Sequence, residues 1–522
     1  MDVNIRKVEI IPPIIVLISG ILSAMYLLSI DNYSLLYYGD SISHLVAGRK
    51  FVDWVNPGFS QMGTVWLPVL HFMLIPFALN NTLFTSGLAG TVVSLPALAL
   101  ASFFMTKIVY RCHKSERLAL LSGLIFAINP SLIYMGIISM QEPLLLFFVI
   151  SSLYYIYTWY DESGKGAPDA SMYLYIAIPL IILATLTRYE AWLLPPALLI
   201  IIAKRILSKK YMVNATVILA SLAGFAGISF WLIWNALSYG DALAFMNVPF
   251  YSYIAQATAR PFRDALFLQP LSSARVLLMA LEVMYGAPLL ILSLIGVTGF
   301  IIKSRSEWGD RLLFSLMFGL PTIATYTAMV AGVGELFHQG GGIWFNSRFL
   351  VLTSGLISFG GVSLLTLTKR KTLLTLLVIL LISSVTFGSV RQLGYPNPPM
   401  VMKEAYAGFS YRNETVSAIE IAEVLGDAYQ GGTILMLTSS GDAHKIMVFS
   451  GIPLRNFRDL FAGDPWPIRN GERMFTDWTI VSNHPSGDGL IAVGYLEVNS
   501  ILLNKNYKIV ESNEFFTLMH RR

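Results

Sequence analysis

Charged residues and cysteine are both scarce in this 522-residue chain. Asp, Glu, Lys and Arg together make up 13% of it, about half of their share in an average soluble domain. Hydrophobic residues make up 55% and the mean hydropathy is +0.63, so many segments must be surrounded by lipid or by other apolar helices. The only cysteine is Cys112, which excludes an internal disulfide framework and a thiolate metal cage.

The basic residues are not gathered on one face or arm, as nucleic-acid binding would require, although the net charge is +5. They form short clusters between apolar runs, which is typical of cytoplasmic loops. With the N-terminus placed in the cytoplasm, all of these clusters fall on the cytoplasmic side. The pattern predicts an integral cell-membrane protein whose C-terminal part is extracytoplasmic. The clusters lie within 107–117, 204–210, 303–311 and 369–371.

About twenty apolar residues are needed to cross the hydrocarbon core of a bilayer. By this measure the sequence contains eleven predicted transmembrane helices. The apolar segment 64–79 is short and contains His71 and two prolines, so it is predicted to be interfacial or re-entrant. The predicted spans are 10–30, 83–107, 117–136, 141–160, 171–187, 189–206, 211–236, 276–302, 311–332, 347–367 and 372–390.

Two parts are expected from the change in composition near residue 390. Residues 1–390 are predicted to form an all-α polytopic membrane domain with a large first outer loop at 31–82. The more polar residues 391–522 are predicted to form a small extracytoplasmic α/β domain. Its strand-like segments are 433–440, 478–483, 507–512 and 515–520, with a helical pattern at 489–505.

Charged and imidazole side chains near the predicted spans fall almost entirely at outer helix ends. A charge at the bilayer centre costs about 2.5–3.5 kcal/mol on insertion scales, so such residues carry information about function. Together they predict a polar cavity that opens to the outer face and contains both signs of charge. These residues are Asp40, His44, Arg49, Asp53, His71, Glu142, Arg188, Glu190, Glu335, His338 and Arg348.

Each of these side chains also has a structural interpretation. Asp40 lies at the start of an amphipathic helix and could be its N-cap. His71 could be only a helix–helix hydrogen-bonding group. A functional role is favoured because nearly all of these residues lie at the outer ends of helices. Two pairs are close enough in sequence to be simple ion pairs: Arg49 with Asp53, and Arg188 with Glu190.

Five short motifs follow one another along the membrane part. They are YYGDSISHLVAGRKF (37–51), GTVWLPVLHFML (63–74), MQEPLLLFF (140–148), ATLTRYEAWLLP (184–195) and WFNSRFLVLTSG (344–355). In this order they resemble motifs of the GT-C glycosyltransferases. The branch that they resemble is the protein O-mannosyltransferase and aminoarabinose-transferase-like group, in an archaeal version. The resemblance covers about residues 10–390.

The first motif departs from the family pattern. The mannosyltransferases carry an adjacent Asp–Glu pair in the first outer loop, whereas Asp40 is followed here by Ser41. The acceptor is therefore left open among a protein, a glycan and a lipid. The chain also has no WWDYG-like sequence, which counts against the oligosaccharyltransferase branch.

The resemblance implies that mannose or a similar hexose leaves a polyprenyl- or dolichyl-phosphate carrier by direct displacement, with inversion at the anomeric carbon. Asp40 is assigned as the general base that takes the proton of the acceptor hydroxyl. Arg188 and Arg348 are assigned to the donor phosphate, whose oxygens fit a guanidinium fork. The side chains assigned to substrate binding are His44, Arg49, His71, Glu142, Tyr189, Glu190 and His338.

No cofactor is expected. Asp40 and His44 share one helix face and, with a third outer histidine, could hold a divalent metal ion, but this spacing is common by chance. The expected partners are the lipid-linked sugar, the acceptor and membrane lipids, and not nucleic acid. A transporter or flippase is the main alternative, but the sequence lacks the internal repeat and mid-membrane charges expected of one. A non-enzymatic scaffold would not explain the ionisable groups.

Overall fold

The chain folds into a long helical part followed by a small α/β part. Five helices in the described residues are long and apolar enough to cross a membrane, and four bent helix pairs pass the same test if each is one span. The chain is therefore an integral membrane protein, and the predicted total of eleven spans is not confirmed. The computed structural model describes residues 6–207, 215–247, 266–303, 308–332, 336–339, 342–345, 347–393, 412–438, 440–459, 476–484 and 506–522.

The helical part contains straight spanning helices, bent pairs and short connecting helices. The straight ones are α1 (Lys7–Ile30), α5 (Leu88–His113), α8 (Glu142–Gly164), α18 (Ser354–Leu364) and α19 (Lys371–Gln392). The bent pairs are α6 (Glu116–Ala127) with α7 (Pro130–Ile137), α11 (Ala215–Ala223) with α12 (Ala226–Tyr239), α14 (Pro270–Tyr285) with α15 (Ala287–Ile302), and α16 (Trp308–Phe318) with α17 (Leu320–Val330). The others are α2 (Gly39–Lys50), α3 (Val69–Ala78), α4 (Asn81–Thr85), α9 (Ala170–Thr185), α10 (Leu194–Leu207) and α13 (Ala244–Asn247).

Short 3₁₀ helices lie next to several of these elements. Two of them matter for the site: Tyr189–Leu193 precedes α10, and Ser347–Thr353 leads into α18. The latter makes Arg348–Leu367 one continuous apolar span. The remaining 3₁₀ helices of the helical part are Ser34–Leu36, Phe59–Met62 and Leu365–Leu367.

Burial separates central from peripheral helices. The apolar windows of α5 and α8 are 67% and 72% buried, whereas those of α1 and α19 are 17% and 22% buried. Apolar side chains on α1 and α19 therefore face lipid, while α5 and α8 form the centre of the bundle. The segment predicted to be interfacial contains α3, whose ten residues are about half the length of a span.

The C-terminal part is a mixed sheet packed with helices. The sheet order is β4-β3-β5-β7-β6, with β3 parallel to β4 and β5, and β7 antiparallel to β5 and β6. All four predicted strands are confirmed, and the predicted helix 489–505 lies outside the described residues. The elements are α20 (Arg412–Ala428), β3 (Ile434–Leu437), α21 (Ser440–Phe449), a 3₁₀ helix (Leu454–Asn456), β4 (Phe457–Arg458), β5 (Trp478–Ser482), β6 (Tyr507–Ser512) and β7 (Phe516–Arg521). A separate antiparallel hairpin joins β1 (Leu336–Gln339) to β2 (Gly342–Phe345).

Four predicted spans are wrong as single helices, because each corresponds to a bent pair: 117–136, 211–236, 276–302 and 311–332. The sharpest bend is in 276–302. The chain turns by 108° between α14 and α15. The turn lies at Gly286, whose φ is +77°, a conformation that is strained for a residue with a Cβ. Hydropathy does not report this turn because the residues on both sides of it are apolar.

Close helix packing in the bundle depends on glycine at one contact of α15 with α18. A Cβ built at Gly296 would overlap the carbonyl oxygen of Gly360. Overpacking of this kind costs typically about 1–3 kcal/mol, so we expect Gly296→Ala to lower the thermal unfolding temperature in detergent. Gly441→Ala is the matched control, because a Cβ there meets nothing within 4 Å. Equal unfolding temperatures for the two variants would contradict this packing.

Candidate active site

Asp40 lies in the first turn of α2, where the helix dipole favours an acidic side chain. Its carboxylate forms an ion pair with Nη1 of Arg348, 308 residues later in the chain. The Asp40 side chain is 38% exposed, whereas that of Arg348 is 10% exposed. The Asp40 carboxylate is therefore accessible from outside, whereas the Arg348 guanidinium that it pairs with is largely buried.

Glu142 links Arg348 to Arg188. It is the first residue of α8, where Pro143 starts the helix, and its side chain is fully buried. Its Oε1 lies 2.7 Å from Nη1 of Arg188 and 3.7 Å from Nε of Arg348. Its Oε2 is buried and has no hydrogen-bond partner among the described residues. A buried carboxylate is stable only when it is paired, so Glu142 fixes the two guanidinium groups beside each other.

Arg188 also contacts Glu190 across the turn that follows α9. The backbone at Arg188 is extended, with φ −150° and ψ 150°, which interrupts the helix. The side chains of Arg188 and Glu190 thereby come close to each other. Nη2 of Arg188 donates to Oε1 of Glu190 at 2.8 Å, and Nε donates to the same carboxylate at 3.2 Å. Burial raises the pKa of Glu190, but the Arg188 charge outweighs it and holds this pKa below its ordinary value.

Asp40, Glu142, Arg188, Glu190 and Arg348 thus form one group, the acid–arginine cluster. Its members come from four separate places in the chain, and all five were among the residues predicted for the site. Phe349 was missed. Its ring centroid lies 5.1 Å from Cζ of each arginine, within the range of a cation–π contact. The signal that could have found it is its position directly after Arg348, within the motif 344–355.

His44 and His71 lie beside the cluster and contact each other. Nδ1 of His44 is 2.9 Å from Nε2 of His71, whose Nδ1 is 3.2 Å from the carbonyl oxygen of Leu67. We assign the tautomers so that each Nδ1–H donates along this chain. The two imidazoles are 4% and 0% exposed, and Trp66 covers His44 at a ring distance of 4.2 Å.

Burial is the first cause that lowers the pKa of both histidines, to about 3 for His71. For His44 the pKa is lowered further because its protonation is opposed by His71, which cannot carry a second charge beside it, and by the positive charges of Arg348 and Arg188. Both imidazoles are therefore neutral at physiological pH. The donor and the acceptor of this histidine pair are both buried.

Besides His44 and His71, three more predicted substrate-binding residues are not brought into the cluster by the described contacts. Arg49 pairs with Asp53 at 2.9 Å, which is the simple ion pair that the sequence also allowed. The hydroxyl of Tyr189 donates to the carbonyl oxygen of Val65 at 2.8 Å and accepts from Trp231 at 3.0 Å. His338 is on β1, opposite Ile343, and its side chain lies outside the described residues.

A pocket among the described residues lies away from the predicted outward-facing cavity. This pocket lies between α14, α18 and α19 and is lined in part by Tyr285, Ser354 and Gln392. None of its lining residues belongs to the acid–arginine cluster. In the described part of the chain, no three His, Cys, Asp or Glu side chains are grouped to hold a metal ion.

Comparisons with known proteins find a shared fold. No protein-family model and no curated protein matches the chain. The crystal structure of ArnT from Cupriavidus metallidurans bound to undecaprenyl phosphate matches 96% of this chain and 97% of that one, with a TM-score of 0.53 and 12% identity. The apo state of the same protein gives a TM-score of 0.50 and 11% identity over the same shares. The fold of this chain is therefore similar to that of ArnT, and at this identity the likeness concerns the fold alone.

A weaker match is the crystal structure of the Archaeoglobus fulgidus oligosaccharyltransferase in complex with Zn and sulfate. It covers 80% of this chain and 57% of that one, with a TM-score of 0.43 and 14% identity.

Proposed function

We propose that this chain is an integral membrane glycosyltransferase that moves a sugar from a polyprenyl-phosphate donor to an acceptor at the outer membrane face. The observation that carries the proposal is the acid–arginine cluster, in which Asp40 meets Arg348 and Glu142 joins Arg348 to Arg188. The fold shared with ArnT, whose crystal structure holds undecaprenyl phosphate, supports the same class of donor. It also supports the GT-C resemblance of the sequence.

In this proposal Arg188 and Arg348 bind the phosphate of the donor. Among the described contacts, three of the five N–H groups of Arg188 are engaged by Glu142 and Glu190, which leaves two for phosphate oxygens. A guanidinium presents its donors in a fixed fork that fits phosphate. In this largely buried cluster, two such groups stabilise the negative charge that the leaving phosphate gains.

Asp40 is proposed as the general base. The acceptor oxygen forms a bond to the anomeric carbon while the bond from that carbon to the phosphate oxygen breaks, with inversion. The proton of the acceptor hydroxyl passes to the Asp40 carboxylate, and the polyprenyl phosphate leaves with both electrons of the broken bond. Such a base contributes about 10²–10⁴-fold to the rate.

The ion pair between Asp40 and Arg348 gives this mechanism an order of events. The cluster contains three carboxylates and only two guanidinium groups, so a donor phosphate that binds Arg348 competes there with the Asp40 carboxylate. We propose that the phosphate takes Arg348 from Asp40, which is the most exposed of the three acids. A carboxylate oxygen of Asp40 is then free to meet the acceptor hydroxyl.

The remaining parts of the proposal come from the sequence. The sugar is mannose or a similar hexose, and the acceptor is a protein, a glycan or a lipid. The N-terminus is cytoplasmic, and the C-terminal domain from residue 391 is extracytoplasmic. Glu142, Glu190, His44 and His71, which the sequence assigns to substrate binding, are proposed from the structure to hold the cluster in position as well. Substrate-binding roles for Arg49, Tyr189 and His338, and an archaeal origin, remain predictions.

The proposal is tested with membranes that contain the chain and a radiolabelled polyprenyl-phosphate sugar. We expect label to leave the lipid fraction and appear in an acceptor, and we expect membranes without the chain to transfer none. A set of donors that carry mannose, glucose or aminoarabinose identifies the sugar. If labelled lipid instead crossed the bilayer with its sugar still attached, a flippase would be the better account.

A further inference from the structure

The C-terminal part of the chain contacts α2, the helix that carries Asp40. Ser43 and Lys50 are seven residues apart and therefore lie on one face of α2. Oγ of Ser43 is 2.9 Å from Nδ1 of His444 in α21, and Nζ of Lys50 forms an ion pair with Asp459 just after β4. Both contacts join residues that are about 400 positions apart in the chain.

The ion pair between Lys50 and Asp459 is almost completely buried. The two side chains are 3% and 1% exposed, and the ammonium also lies 4.0 Å from the ring centroid of Trp54. Lysine is almost never fully buried unless it is paired. His444 is buried beside it, and burial followed by the Lys50 charge lowers the pKa of His444 to about 3, so its imidazole is neutral.

The contact continues past the end of α2. Asp53 binds Arg49 within its own segment and also accepts a hydrogen bond at 3.1 Å from the backbone N–H of Leu454. Before α2, the ring of Tyr33 packs on Phe449 at a centroid distance of 4.6 Å. The first outer loop therefore touches the C-terminal part before, along and after α2.

A buried ion pair is weak evidence for stability, because an apolar pair of similar volume is often as stable or more so. What it fixes is geometry, since any other docking of the two surfaces leaves a charge buried without a partner. Lys50 is ten residues from Asp40 on the same rigid helix, a length of about 15 Å. A shift of α2 at Lys50 therefore moves Asp40 relative to Arg348.

We propose that the C-terminal part positions the general base: the Lys50–Asp459 pair, with Ser43–His444, sets the place of α2 and thereby of Asp40 at the acid–arginine cluster. Lys50 and Asp459 are thus positioning residues that act through Asp40. This role rests on the proposed transferase function. In this proposal the small α/β part contributes to the reaction by holding Asp40 in position.

The test uses the full-length chain with Lys50→Met alone and with Lys50→Met and Asp459→Leu together. The single variant leaves Asp459 buried without its cation, so its unfolding temperature should fall. The double variant should recover that temperature, because the pair is now apolar. If the pair positions Asp40, the double variant still loses kcat, by about 100-fold for a displacement near 1 Å, while the KM for the donor is unchanged.

Lys445→Met is the matched control, because Lys445 pairs with Asp442 inside the same part of the chain at 3.2 Å. It should leave kcat unchanged. A double variant with wild-type kcat would overturn the positioning role, and so would an equal loss of kcat in the Lys445 variant.

Hydrogen exchange at the α2 amides separates this inference from the proposed function, because it does not depend on activity. We expect faster exchange over residues 39–50 in the double variant than in the wild type. If the wild type transferred no sugar, the proposed function would fail while faster exchange still supported the docking of α2. If exchange were unchanged, the positioning role would fail even for an active enzyme.

Discussion

Asp40→Asn is expected to lower the turnover of sugar transfer by about 10²–10⁴-fold, the usual contribution of a general base. Asparagine keeps the size of the side chain and can still accept a hydrogen bond from Arg348, but it cannot take the acceptor proton. Donor binding should be retained or strengthened, because the phosphate no longer has to displace a carboxylate from Arg348. The measurement is single-turnover transfer from a radiolabelled polyprenyl-phosphate sugar.

Asp31→Asn is the control for Asp40→Asn. Asp31 is also an acidic residue of the first outer loop, but its described partners are the backbone of Tyr33 and the hydroxyl of Tyr37. The Asp31→Asn variant should have the same turnover as the wild type. Unfolding temperatures of all three proteins show whether the fold is intact. Wild-type turnover in the Asp40 variant would show that the base has been assigned wrongly.

Arg188→Ala should weaken the binding of undecaprenyl phosphate by about 10- to 150-fold, the equivalent of a lost hydrogen bond to a charged group at about 1.5–3 kcal/mol. Acceptor binding should change much less. The substitution also removes a positive charge that pairs with the buried Glu142 carboxylate. Breaking a buried ion pair in this way lowers the stability of the fold by about 3–5 kcal/mol. Arg188→Lys is therefore measured beside it, because it keeps the charge and removes only the guanidinium fork.

Arg391→Ala is the control for Arg188. Arg391 also lies at a helix end and pairs with a carboxylate, Glu282, but it contacts no member of the acid–arginine cluster in the described residues. The Arg391→Ala variant should bind undecaprenyl phosphate with the affinity of the wild type. An equal loss of donor and acceptor affinity in a folded Arg188 variant would contradict a specific role at the phosphate.

The membrane class and the strands of the C-terminal part could be predicted because both depend on local pattern. An apolar run of sufficient length needs no partner to be recognised. The helices α1, α8 and α19 and the span Arg348–Leu367 follow the predicted spans closely, whereas α5 is shifted toward the C-terminus. The alternation and β-branched content of short segments likewise predicted the strands. The two-residue strand β4 was missed because it is too short to carry a pattern.

Tertiary contacts could be predicted only in part. The cost of charge in lipid marked the members of the acid–arginine cluster, but not which carboxylate meets which guanidinium. The cluster pairs Asp40 with Arg348 and leaves Glu142 between two arginines, an arrangement that depends on helix packing. Lys50 and Asp459 carried no signal, because a lysine at a helix end is usually exposed.

The most direct test of the account is the position of the phosphate in a structure of this chain with undecaprenyl phosphate. The account predicts phosphate oxygens at about 3 Å from guanidinium nitrogens of Arg348 and Arg188, with Asp40 released from Arg348 and turned toward the acceptor side. A phosphate bound elsewhere, with the Asp40–Arg348 pair intact, would contradict the proposed active site.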